Sequence, residues 1–115
     1  MTEDEARAII LSFPETAEGT SYGLPAFKTA GKFLTRLRSE DASLVLTGVG
    51  FDERDLLLEA DPAVFHLTDH YRNSQAVLAR IDALDPAVLR AMIERRWRQL
   101  ARRTVVKAYD TAKGG

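Results

Sequence analysis

The middle of the chain carries three strand-like segments separated only by short turns, and this spacing limits the possible folds more than any other feature. Residues 26–29, 33–38 and 43–49 are rich in aromatic, β-branched and aliphatic side chains, and the connection 30–32 contains a glycine. Strands joined by such short turns run antiparallel, because a parallel pair needs a long crossover connection. The sequence therefore predicts an antiparallel meander.

Helical patterns flank and interrupt this meander. A capping-box pattern that begins at Thr2 precedes an apolar stripe, which Pro14 ends because a proline disfavours helical geometry in the residue before it. A second helix is predicted over residues 53–60, with Leu56 and Leu57 directed toward the core.

The second half of the chain continues the alternation of strands and helices. Short strands are predicted over residues 64–68 and 75–81. Asp85 followed by Pro86 is a strong start signal for a last helix, because it combines an N-cap side chain with proline at the first helical position. Apolar residues then recur at helical spacing, which makes Trp97 a candidate core anchor.

The predicted order of elements is α-β-β-β-α-β-β-α. This order indicates an α+β fold, in which helices pack on one face of an antiparallel sheet. Residues 15–25 are expected to be a polar connection, the last helix to run to about residue 100, and the tail from about residue 110 to be disordered. At 115 residues, the whole chain is expected to form a single domain.

Composition excludes several classes of site. The chain has no cysteine, so it contains no disulfide, thiolate metal site or cysteine nucleophile. No apolar run approaches the ~18 residues of a transmembrane helix, and the acidic N-terminal segment does not have the layout of a signal peptide. We therefore expect a cytoplasmic protein without a membrane-spanning segment.

The formal net charge of −1 conceals a strong asymmetry. Residues 1–60 carry 11 acids and 6 bases, whereas residues 61–115 carry 6 acids and 10 bases. Most of the later bases form one run in which Glu94 is the only acid: Arg90, Arg95, Arg96, Arg98, Arg102, Arg103 and Lys107. Such asymmetry can steer an anionic partner toward one face, or it can let the two halves of the chain pair with each other.

Two sets of bases are candidates for phosphate contacts. On a continuous helix Arg95, Arg98 and Arg102 fall on one side, roughly opposite the apolar stripe, where guanidinium groups bind phosphate without reading sequence. A solvated helix face is the alternative. The second set lies on the predicted hairpin: Lys28, Lys32 and Arg36. Charged residues there can also serve only to protect a sheet edge from aggregation.

The residues give no sign of a catalytic or metal site. His66 and His70 are the only histidines, and they straddle a predicted strand end, where they would hold a metal at most weakly. Ser21, Ser43 and Ser74 have no adjacent base and orienting acid in a recognisable pattern. We expect a protein without a metal, a cofactor or an enzymatic activity.

Four short motifs, in this order, resemble the MmcQ/YjbR family. They are Glu18-Gly19-Thr20-Ser21-Tyr22-Gly23-Leu24-Pro25-Ala26-Phe27-Lys28, Gly31-Lys32-Phe33, Asp69-His70-Tyr71-Arg72 and Trp97-Arg98. The resemblance covers the chain from about Ala6 to Asp110, and it implies a CyaY-like fold similar to bacterial frataxin, with projecting hairpins. The chain departs from the family pattern at Ala101-Arg102-Arg103, where relatives often have Ala-Pro-Lys.

Members of that family are commonly labelled DNA-binding proteins, so the resemblance implies a small non-enzymatic protein that binds DNA. The bases expected to contact backbone phosphate are Lys28, Lys32, Arg36, Arg95, Arg98 and Arg102. The alternative is a protein-interaction or small-ligand module that uses the open sheet face and the 69–74 loop, with Tyr22, His70, Tyr71 and Arg72 as contacts. Phe27 and Phe33 are assigned to the core, and a monomer or weak homodimer is expected.

Overall fold

The computed structural model describes residues 1–21 and 23–114. The helices in these ranges are α1 (Glu3–Leu11), α2 (Phe51–Ala60), α3 (Pro86–Leu100) and α4 (Arg103–Gly114). The strands are β1 (Thr16–Ser21), β2 (Leu24–Thr29), β3 (Lys32–Arg38), β4 (Ser43–Thr47), β5 (Phe65–His66) and β6 (Ala76–Arg80), and a 3-10 turn, Asp69–Tyr71, lies between β5 and β6. None of the described helices combines the length and the apolar character needed to cross a bilayer.

All six strands form one antiparallel sheet in the order β1-β2-β3-β4-β6-β5. The first four strands follow chain order, as the predicted meander requires, and β6 lies between β4 and β5. The α+β class and the antiparallel sheet are therefore confirmed.

The strand register divides the side chains of the sheet between two faces. Leu44 and Ala79 are cross-strand partners in the main core, where the helices pack. Val45 and Leu78, the partners one residue away, belong to a second, small cluster on the opposite side. Among the described residues, Tyr71 is the partly buried apolar side chain that packs against this second cluster. We call this side of the sheet the open face.

Trp97 anchors the helix layer, as the spacing of apolar residues predicted. Its side chain is fully buried, and its indole Nε1 donates a hydrogen bond to the carbonyl oxygen of Pro14 at 2.9 Å. Its ring centroid lies 5.6 Å from that of Phe13 and 4.8 Å from that of Tyr109 on α4. One indole thus links the segment after α1, the last turn of α3 and α4.

The C-terminal part of the chain differs from the prediction. After α3 the backbone becomes extended at Ala101, with φ −70° and ψ 152°, and a further helix follows. The tail that was expected to be disordered from about residue 110 is helical through Gly114. It is held by the packing of α4 on Trp97 and by a bidentate contact of 3.0 and 2.7 Å between Arg98 and Asp110.

The expected connection over residues 15–25 is also wrong, because it contains β1. The backbone of β1 pairs with β2 in register from Thr16–Thr29 to Ser21–Leu24. Its small polar side chains do not show the apolar pattern from which a strand is predicted. An edge strand pairs on one side only and needs little apolar surface.

Two side chains expected in the core lie on the surface. Leu56 is 66% exposed, and the buried position on α2 is taken by Arg54 instead. Phe33 is 37% exposed on the open face, where it pairs with Lys28. A register shift after Phe27 directs Leu34 rather than Phe33 into the core.

Replacing Trp97 with phenylalanine tests the anchor. Trp97→Phe removes the hydrogen bond to Pro14 and leaves a cavity, so the free energy of unfolding should fall by about 2 kcal/mol in urea titrations. Val88→Ala, an exposed change on the same helix, should stay within about 0.5 kcal/mol of the parent protein. Equal effects of the two changes would contradict the assignment.

Candidate functional site

The three arginines predicted to form a basic ridge each contact a carboxylate. The pairs are Arg95–Glu53, Arg98–Asp110 and Arg102–Glu15. The hydrogen bonds that Arg98 donates to Asp110 and that Arg102 donates to Glu15 raise the pKa of each guanidinium. Arg102 also lies beyond the end of α3, so the continuous helix on which the ridge depends is absent. These guanidinium groups make contacts within the fold.

Two of the three hairpin bases lie on the open face, the side of the sheet away from the helices. Arg36 pairs with Val45 on the open face, and Lys28 is exposed on the same face opposite Phe33. Lys32 is exposed at the start of β3. Within the described chain none of these three bases forms an ion pair. The structure therefore places Lys28 and Arg36 together on the open face, apart from the arginines of the last helix, whereas Lys32, the cross-strand partner of Thr29, lies on the other face at the start of β3.

Tyr71 joins the two sets of residues that the sequence proposed for different functions. Its hydroxyl accepts a hydrogen bond from Arg36. The guanidinium carbons of Arg36 and Arg38 lie 5.9 and 6.0 Å from the centroid of its ring, within the range of cation–π contact. Below the ring lies the small apolar cluster that includes Val45 and Leu78.

The other contacts proposed for the 69–74 loop are less tightly placed. The ring of His70 lies 4.7 Å from that of Tyr71, edge to face, and the side chain is exposed. Arg72 is exposed and pairs with Asp69. Tyr22, the fourth residue proposed for this set, lies outside the described residues.

Arg54 is a buried guanidinium that the sequence analysis did not identify. It is 8% exposed, and its Nη1 donates to the carbonyl oxygens of Arg72 at 2.9 Å, Ser74 at 3.0 Å and Tyr71 at 3.4 Å. One side chain of α2 thus holds the backbone of the loop that presents Tyr71. The spacing of residues along α2 could have predicted this position. The two leucines of α2 that reach the core lie three and four residues after Arg54, and residues at this spacing share one face of a helix.

His66 and Ser43 contact each other, although they lie 23 positions apart in the sequence and no local motif predicted the pair. His66 Nε2 lies 2.8 Å from Ser43 Oγ and 3.7 Å from Asp41 Oδ2. In a catalytic triad the acid binds the other ring nitrogen and the hydroxyl is accessible, whereas here both partners meet Nε2 and Ser43 is fully buried. Burial and the charges of Arg80 and Arg38 lower the pKa of His66, although Asp41 opposes them.

A cleft of about 350 Å³ opens where β4 ends, beside the open face. Phe33 and Tyr71 belong to its walls, and Arg96 reaches it from α3. Gly48, also in the lining, has a φ of 71°, and a Cβ there would lie 2.7 Å from Cδ of Arg96. Both the backbone geometry and the approach of the Arg96 side chain therefore favour glycine at this position. Within the described chain, no group of three or more His, Asp or Glu side chains is placed to hold a metal ion.

The sequence profile of the YjbR family matches residues 11–99. The chain belongs to the YjbR family. No curated protein matches it, and no solved structure does. The family assignment made from the short motifs is confirmed.

The matched range of this YjbR protein runs from the end of α1 to the last turn of α3. It contains the open face, the 69–74 loop, Arg54 and Arg96, whereas α4 lies beyond it. The family match establishes kinship but not a binding site, because a fold does not determine a function.

Arg54→Met tests the clamp on the loop. The change leaves carbonyl groups without their charged donor, so we expect a loss of about 2–3 kcal/mol in the free energy of unfolding and faster hydrogen exchange of the amides near Ser74. Asp55→Asn changes the adjacent exposed residue and should alter neither quantity. Unchanged exchange in Arg54→Met would show that the loop is held by other contacts.

His66 makes stability depend on pH. Because its pKa is lower in the folded state than in the unfolded state, the unfolded chain binds more protons as the pH falls below about 6.5, and stability is lost in that window. The pKa values of Glu94 and Asp110 are also lowered in the folded state. The stability that these two carboxylates contribute is lost only below about pH 4.5.

Urea titrations between about pH 7.5 and pH 5 isolate this effect of His66. The parent protein should lose stability across the range, and His66→Gln should flatten the dependence. An identical slope in the variant would assign the effect to other groups.

Proposed function

We propose that this YjbR protein is a non-enzymatic binding protein and that its partner is a nucleic acid held on the open face of the sheet. Two observations carry the proposal: Lys28 and Arg36 share the open face, and the hairpin bases Lys28, Lys32 and Arg36 form no ion pair within the described chain. Phosphate contacts can use these bases without breaking an existing carboxylate pair. Contacts through Arg95 or Arg98 would have to compete with such pairs.

The open face also offers an exposed ring among its bases. Phe33 is the cross-strand neighbour of Lys28, and it is 37% exposed. Exposed aromatic rings on a basic sheet face bind single strands, because the bases stack on the ring while the phosphates contact the cations. We therefore propose single-stranded nucleic acid in preference to duplex.

The number of free bases sets the expected salt dependence. Neutralising about three phosphates of a single strand gives a slope near −2 in a plot of log affinity against log salt concentration. Affinity should therefore fall roughly 20-fold between about 50 and 200 mM salt. The net charge of −1 also predicts modest rather than tight binding.

Fluorescence anisotropy with labelled oligothymidine tests the proposal. The double variant Lys28→Glu, Lys32→Glu should weaken binding by roughly tenfold or more, because two attractive contacts become repulsive. The matched control is Arg103→Glu with Lys107→Glu, which makes the same change of charge on exposed positions of α4. The control should bind like the parent protein. No binding at about 50 mM salt, or equal losses in both variants, would overturn the proposal.

The same variants separate the protein-interaction alternative, which rests on the exposed His70 and Arg72 of the clamped loop. Under that alternative Arg72→Ala removes binding of the partner, and the Lys28 and Lys32 changes do not. Under the nucleic-acid proposal the Lys28 and Lys32 changes weaken binding of the oligonucleotide, and Arg72→Ala does not.

A further inference from the structure

The cleft at the end of β4 has the shape of a small-ligand site. Its volume of about 350 Å³ lies at the lower end of the range for ligand pockets. Two aromatic side chains, Phe33 and Tyr71, contribute to its walls, and Val45 and Ala76 of the sheet add apolar surface. Such a lining favours a flat, apolar group over a sugar or an extended chain.

The charge of the cleft comes from one side chain. Among the described residues that line the cleft, Arg96 is the only one that is ionised. Its Nη1 donates to Gln99 Oε1 at 2.8 Å, while its Nε is buried and has no hydrogen-bond partner among the described residues. Its neighbour Arg95, by contrast, pairs with Glu53 at 2.8 Å. A buried donor of a guanidinium without a partner carries a cost that a bound anion removes.

Both the cation and the aromatic wall are held in place before any ligand arrives. Arg96 lies against Gly48, whose missing Cβ permits the close approach. Tyr71 belongs to the loop that Arg54 clamps, and its hydroxyl is bonded to Arg36. Preorganised groups bind more tightly, because less conformational freedom is lost on association.

We infer that this cleft binds a small molecule that combines a flat apolar body with a single carboxylate or phosphate. The flat body lies between Phe33 and Tyr71, and the anionic group meets Arg96. Ser74 in the lining supplies a hydroxyl donor for a further hydrogen bond, whereas the hydroxyl of Thr47 already donates to the carbonyl oxygen of Leu34 at 2.6 Å. This site gives the small-ligand alternative a specific location, and it does not depend on the nucleic-acid proposal.

Titrations of the isotope-labelled protein with benzoate, phenyl phosphate and benzamide, followed by NMR, test the inference. Benzoate or phenyl phosphate should cause saturable shifts of the amides of Gly48, Gln75 and Ala76. Benzamide has the same flat body without the charge, so it should bind roughly tenfold more weakly or worse. The two anions distinguish a carboxylate ligand from a phosphate ligand.

Arg96→Gln should weaken binding of the preferred anion by roughly tenfold and bring its affinity close to that of benzamide. Arg95→Gln, the matched control on the adjacent residue, should bind like the parent protein. Arg96→Lys retains the charge and should retain most of the anion's advantage over benzamide, which guards against a variant that fails to fold. No saturable shift at the cleft with either anion, or equal affinities of Arg96→Gln and Arg95→Gln, would overturn the inference.

The oligothymidine assay on Arg96→Gln keeps the two proposals apart. Since Arg96 is not among the open-face bases, this variant should bind the oligonucleotide like the parent protein. The absence of ligand binding at the cleft and the absence of nucleic-acid binding are therefore detected in different experiments.

Discussion

The hydrogen bonds from Arg54 to the 71–74 backbone are the interaction on which both proposed binding surfaces depend. They fix to α2 the segment that begins at the end of the 3-10 turn, and this segment in turn sets Tyr71 above Val45 and Leu78. Without that ring, Arg36 would lose its hydroxyl partner and the cleft would lose one wall. A guanidinium suits the task, because it remains charged when buried and has several donors to offer carbonyl groups.

Charge pairing explains why the most conspicuous sequence feature is not the best candidate site. The acidic first half and the basic second half meet in pairs such as Arg95–Glu53 and Arg102–Glu15. Each pair is exposed and contributes little to stability by itself. Together they occupy the three arginines of the expected ridge, Arg95, Arg98 and Arg102, whereas the bases of the hairpin form no ion pair within the described chain.

The sequence predicted the parts of the fold that depend on local patterns. The meander followed from short turns, α3 from the Asp85-Pro86 start, and the anchoring role of Trp97 from apolar spacing. The strand β1 escaped prediction, because an edge strand of small polar residues has no apolar alternation. The exposed position of Phe33 also escaped it, because a register shift in the β2–β3 pair reverses the faces of a strand.

The candidate site was predictable only in part, because its contacts join distant segments. The motif that contains Tyr71 pointed to the correct loop, but its contact with Arg36 spans 35 positions and the Ser43–His66 contact spans 23. The partners of the arginines are equally remote, since Arg102 meets Glu15 across 87 positions. Side-chain pairing at such distances is set by the packing of the helices on the sheet, which local patterns do not encode.

The most direct test of the account is a map of amide chemical shifts during a titration with oligothymidine at low salt. The account predicts saturable shifts in β2 and β3, centred on Lys28, Phe33 and Arg36, with the exposed side of α3 unaffected. Shifts centred on Arg95, Arg98 and Arg102 instead would contradict it, because they would show that the paired arginines of the helix layer are the true binding surface.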